Sequence, residues 1–130
     1  MWLNQRTVDA IRIMAALAEA MPGHVTANKL AAITMITPRN VQKTANILVQ
    51  AGFILATRGR HGGLRIARPA ATIFVSEIAR AFEPADCPVS FLPTSAPDDR
   101  LSHLIFSAHR AFFRSLETTA LADLVGAKAP

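Results

Sequence analysis

Thr37-Pro38 opens a helix, Gly52 closes it, and two short β-prone runs follow at once. Thr at an N-cap accepts a hydrogen bond from an otherwise orphaned N–H. Pro at the first helical position lacks an N–H that would have had no partner there. Gly52 can take the left-handed conformation in which helices end. The runs Phe53-Ile54-Leu55-Ala56-Thr57 and Leu64-Arg65-Ile66-Ala67-Arg68 flank the turn Arg58-Gly59-Arg60-His61-Gly62-Gly63. The second run largely alternates apolar with basic, so the pair predicts a β-hairpin with one buried and one charged face. Pro69 closes it.

Two helices precede this unit. Val8, Ile11, Ile13, Met14, Leu17 and Ala18 recur at helical spacing over residues 7–21, and Pro22-Gly23 stops that helix. Thr26 is a candidate N-cap for a short helix over 27–33, with Leu30, Ala31 and Ile33 facing inward. After the hairpin, Ser76 is a candidate cap for a helix over 77–82, which Glu83-Pro84 ends. Residues 84–97 hold Pro84, Pro88, Pro93 and Pro97 without a helical period and predict a loop. A long helix over 98–118 follows, with Leu101, Leu104, Ile105, Ala108, Phe112 and Leu116 in one stripe. A further short helical turn is expected over 120–125.

Helix, helix, capped helix and basic hairpin is the order of a winged helix-turn-helix. The expected fold is therefore mostly α with a small β-hairpin, a winged helix-turn-helix plus a long C-terminal helix. In that arrangement the third helix enters the major groove with its first residues nearest the base edges. Those residues are Thr37, Arg39, Asn40, Gln42 and Lys43, while Val41, Ala45 and Leu48 fall on the opposite face. Arg suits guanine, Asn and Gln suit adenine, and Lys suits phosphate or guanine. Arg58, Arg60 and His61 sit at the hairpin tip, within reach of backbone or minor groove.

Charge supports the same partner. Between Glu19 and Glu77 there is no acidic residue, yet Lys29, Arg39, Lys43, Arg58, Arg60, Arg65 and Arg68 all lie there. The net charge of +5 comes from this one segment. A solvated basic face is the bland account of such a run, and a membrane surface also attracts one. A double-stranded DNA operator fits best, because neutralised phosphates release condensed counterions.

These residues resemble the IscR/NsrR/RirA-type winged-helix transcription regulators. Leu3-Asn4-Gln5-Arg6-Thr7-Val8-Asp9-Ala10-Ile11-Arg12 is similar to the start of that family. Ile36-Thr37-Pro38-Arg39-Asn40-Val41-Gln42-Lys43 resembles its recognition helix, and residues 50–54 with 57–69 resemble its wing. Thr119-Ala120-Leu121-Ala122-Asp123-Leu124 is similar to its usual ending. The resemblance implies a homodimer on a partly palindromic operator, usually a repressor, with residues 98–118 as the dimerisation helix. It divides the chain into a DNA-binding domain over 1–83, a sensor-type loop over 84–97, and a dimerisation helix with tail over 98–130.

The resemblance also brings in an iron–sulfur cluster, which many members hold with three cysteines before the long helix. This chain has Cys87 alone. The other two positions fall near Thr94 and Arg100. His103 lies near the place of a histidine ligand used by some members, and Val8 stands where some relatives carry a ligating acid. Thiolates are the usual ligands, so no metal and no cofactor is predicted. Three readings of Cys87 stay open: a cluster shared across the dimer with His103, a redox thiol, or a small apolar residue with no sensing role. A redox, iron or small-molecule signal is expected near residues 84–103.

Other classes find little support. There are no paired carboxylates, no nucleophile with a placed base and no phosphate-binding glycine fingerprint, so an enzyme is not expected. A protein-interaction adaptor that kept the fold without operator binding is the alternative. The single cysteine points to a reducing, cytoplasmic compartment. No apolar run approaches the roughly 18 residues of a membrane span.

Overall fold

The computed structural model describes residues 3–83 and 100–126. Helix α1 (Gln5–Ala20) begins two residues earlier than its apolar pattern, because Asn4 caps it: the Asn4 side chain accepts from the Thr7 N–H at 2.9 Å. Thr26 and Thr37 cap α2 (Ala27–Thr34) and α3 (Pro38–Gln50) as expected, accepting from the Lys29 and Asn40 N–H groups. Strands β1 (Ile54–Thr57) and β2 (Gly63–Ile66) pair antiparallel, with Ile54 opposite Ile66 and Thr57 opposite Gly63. Helices α4 (Val75–Phe82) and α5 (Arg100–Glu117) follow.

One core binds the first four helices to the hairpin. Ile13, Met14 and Leu17 of α1 meet Leu30 of α2, Val41 and Leu48 of α3, Ile54 and Ile66 of the hairpin, and Ile78 of α4. Leu121, after α5, joins it. After α5 the backbone returns beside α4, where Phe74 bridges Ala120 and the Leu121 N–H donates to the Ile73 carbonyl at 2.7 Å. Leu121, in a 3-10 turn (Leu121–Leu124), is fully buried among those core residues. Full burial of such a side chain stabilises by about 1.5–3 kcal/mol.

Two sequence expectations fail here. Ser76 does not cap α4. It lies within the helix and is buried, and the N-cap is Phe74. Phe74 is held extended by its bridge to Ala120, and its N–H is satisfied by the Glu77 carboxylate at 2.8 Å. Ile33 does not face inward but is 54% exposed. With only two turns, α2 has Leu30 as its one buried residue.

The wing has an added edge. Val25, just before α2, exchanges two backbone hydrogen bonds with Leu64 at 2.8 and 2.9 Å. This contact fixes the hairpin against the helices. Gly63 makes it feasible, since a Cβ there would lie 2.9 Å from the Val25 carbonyl oxygen.

Candidate nucleic-acid interface

The start of α3 is a polar surface on an apolar base. Val41, Ala45 and Leu48 are buried, whereas Thr37, Arg39, Asn40, Gln42 and Lys43 are exposed. The period of 3.6 residues produces this division. Thr37 Oγ1 accepts from the Asn40 N–H at 3.3 Å and leaves the Arg39 and Asn40 side chains facing solvent. Gln42 Nε2 donates to Asn46 Oδ1 at 3.1 Å, one turn further on. Asn46 therefore extends the polar face. Its i, i+4 spacing from Gln42 is the signal by which the sequence could have revealed it.

The wing tip lies beside this face. Gln42, Thr26 and Ala27 share a hollow of about 250 Å³ with Thr57, Gly59 and Gly62 of the hairpin. The start of α3, the start of α2 and the wing thus border one concave surface. Arg58, Arg60 and His61 are exposed on the turn. At the wing's base Thr57 Oγ1 is 3.3 Å from His24 Nε2. His24 and Thr26 come to this surface through the fold; the sequence marked Thr26 only as a helix cap and His24 not at all.

Electrostatics sharpens the site. Among the described residues, the only ion pair in the acid-free segment is Arg68–Glu77 at 2.7 Å. Lys29, Arg39, Lys43, Arg58, Arg60 and Arg65 have no acidic partner there, so their field faces outward. Arg68 is part of the scaffold instead. The Glu77 carboxyl is held below its ordinary range, first by the hydrogen bond from the Phe74 N–H and also by the Arg68 guanidinium.

This is a winged helix with a basic face, and comparison with known proteins gives it a family. Residues 3–127 match the Rrf2 family, described as an iron-dependent transcriptional regulator. The chain belongs to the Rrf2 family. It is a transcription regulator rather than an enzyme, and the family resemblance of its sequence holds. Among solved structures this Rrf2 protein is similar to CymR, the global cysteine regulator of B. subtilis, with 22% identity, a TM-score of 0.84 and 99% of each chain covered. The oxidised form of Staphylococcus aureus CymR gives 21% identity and 0.80 over 100% of each chain. The T. potens IscR gives 21% identity and 0.78, over 95% of this chain and 85% of that one. At such identities these likenesses establish the fold.

The sensor candidates are only partly placed. Cys87 and the 84–97 loop lie outside the described residues, as does Trp2. His103 is exposed on α5, in a hollow of about 300 Å³ that it shares with Arg110 and Arg114. Two guanidiniums are poor company for a metal cation. Among the described residues no three His, Cys, Asp or Glu side chains come together as a metal site. With one cysteine in the chain, two of the three thiolates of a conventional three-cysteine cluster are missing. Among the described residues no helix is long and apolar enough to cross a membrane.

The α5 stripe is largely uncovered. Leu101 is 52% and Leu104 64% exposed, Ala108 is exposed, and Ile105, Phe112 and Leu116 are partly covered. Ser102 is the only buried residue of α5. The helix is held near its C-terminal end, where Arg80 of α4 donates to Glu117 at 2.8 Å and lies 5.4 Å over the Phe113 ring.

Proposed function

We propose that this Rrf2 regulator binds a partly palindromic operator as a homodimer and represses transcription. The observation that carries this reading is the exposed start of α3. Arg39, Asn40, Gln42 and Lys43 stand on a buried apolar base, beside the wing and in a field without acids. In the proposed complex Arg39 and Gln42 contact base edges, Asn40 and Lys43 contact bases or phosphates, and Thr37 lies beside the backbone. Arg58, Arg60 and His61 of the wing contact phosphates or the minor groove.

The dimer closes through α5. Exposure of Leu101 and Leu104 leaves an apolar face that a second α5 would cover, together with Ile105, Ala108, Phe112 and Leu116. Two-fold symmetry then presents two α3 helices to half-sites one helical turn or more apart. Residues 1–83 form the DNA-binding half and 98–130 the dimer arm, which Leu121 anchors to that half. The signal enters near residues 84–103, without a conventional three-cysteine cluster. Cys87 is the candidate if the signal is an oxidant, and the compartment is the cytoplasm.

Selection from a random duplex pool tests the reading. It should yield a two-fold symmetric site, bound with steep salt dependence by a species of dimer mass in light scattering. Absence of any enriched site would favour an adaptor. A monomer at micromolar concentration would remove the α5 interface.

A further inference from the structure

A second charged surface lies away from the DNA-binding face. Between α4 and α5 there is a cleft of about 420 Å³, in the size range of small-molecule sites. Its two acidic residues already have partners. Glu83 Oε1 accepts from the Asn4 N–H and from Thr7 Oγ1, both at 2.7 Å, which commits it to the start of α1. Glu117 accepts from Arg80 at 2.8 Å. That leaves Arg110 and Arg114, exposed, lining the cleft and in no ion pair among the described residues. Four residues apart on one helix, they stand on the same face, where like charges repel unless an anion lies between them.

The wall beside them is aromatic. Phe113 also lines the cleft, with the His109 ring 5.0 Å and the Phe112 ring 5.7 Å from its own, and Arg80 over its face. A planar guanidinium pair next to an aromatic edge suits a carboxylate or phosphoryl group carried on a compact apolar body. We propose that this cleft binds a small organic anion, with Arg110 and Arg114 holding the charge and Phe113 packing on the body.

The position gives such binding a consequence. Helix α4 belongs to the DNA-binding core, and α5 is the arm that carries the uncovered stripe. An anion drawn to α5 inside the α4 cleft biases the angle between the two, and hence the separation of two reading heads in a dimer. This consequence rests on the operator-binding reading, whereas the binding itself does not.

The test therefore starts with the DNA-free full chain and benzoate as probe, followed by calorimetry. Wild type should saturate in the millimolar range. Arg110→Gln/Arg114→Gln should weaken binding at least about tenfold, since two charge-assisted contacts are lost. Arg100→Gln, outside the cleft, should not. Both arginines are exposed, so the variants should fold, which thermal melting verifies; Arg114→Gln alone serves if the double variant melts early. In operator titrations benzoate should alter the affinity of wild type and not of the double variant. Lack of saturation, equal binding by the double variant, or inorganic phosphate binding as tightly as benzoate would each overturn the site. None of these results bears on whether the protein binds DNA.

Discussion

Gly62→Ala should disable the wing while leaving the core folded. A Cβ at residue 62 would lie 2.0 Å from the Thr57 carbonyl oxygen, 2.8 Å from the Thr57 carbonyl carbon and 2.9 Å from that of Arg58. All three atoms are backbone, so no side chain can swing aside. The turn must open by about 1 Å or more before a Cβ fits. Several contacts resist that opening. The Gly62 N–H donates to the Gly59 carbonyl at 3.1 Å, Thr57 is paired with Gly63, and Thr57 Oγ1 meets His24. Overpacking of this kind costs about 1–3 kcal/mol. The base of the hairpin should survive, because Ile54 and Ile66 are buried in the main core. Arg58, Arg60 and His61 would move with the turn. If both arginines contact phosphates, the slope of log affinity against log salt should flatten by up to about 1.8, at about 0.9 per contact. Urea denaturation and anisotropy of a labelled duplex at several salt concentrations measure the two effects. At Gly59 a Cβ meets nothing within 4 Å but φ is +106°, so Gly59→Ala reports strain without the clash. A Gly62→Ala protein with wild-type midpoint and wild-type salt slope would refute the geometry assigned to the wing.

Three further outcomes follow from the fold. Met35, in the turn between α2 and α3, has φ 61° and is 88% exposed, so Met35→Gly relieves a left-handed strain without losing packing; urea denaturation should show a gain of about 0.5–1 kcal/mol, and an equal loss would contradict it. Glu77 has its folded pKa lowered, so its stabilisation is full above the ordinary value of 4.5 and fades as pH falls through the folded value. Glu77→Gln should therefore make stability fall less steeply on the acid side, whereas an unchanged acid limb would show that the Phe74 and Arg68 contacts contribute nothing. Asn4→Ala removes the α1 cap and the 3.2 Å bond to the Phe82 carbonyl; melting should report a loss of about 1–2 kcal/mol, and hydrogen exchange should rise at the start of α1 and the end of α4 together.

The parts of this molecule that were legible in the sequence are those set by local chemistry. Thr37-Pro38 needs no distant partner to begin a helix, and the Val41, Ala45, Leu48 stripe follows from helical period alone. The turn declares itself because only glycine suits a close approach such as that of Gly62 to Thr57, although Gly63, expected in the turn, begins β2. What stayed hidden depends on residues far apart in the chain. Phe74, not Ser76, begins α4 because Ala120 pairs with it. Val25 joins the wing through Leu64, and His24 reaches Thr57 across the fold. Arg68 looked like part of the DNA-facing charge and instead pairs with Glu77. Ile33 had the right spacing for burial, but a two-turn helix anchored by Leu30 leaves it outside.

Operator discrimination by Arg39→Ala and Gln42→Ala tests the central claim most directly. Affinity for the selected operator and for a scrambled duplex would be measured at one salt concentration. Each substitution should lower operator affinity by about 1–3 kcal/mol while changing scrambled-duplex affinity far less, so that the ratio between the two collapses. A ratio equal to wild type in both variants would contradict the placement of the reading head at the start of α3.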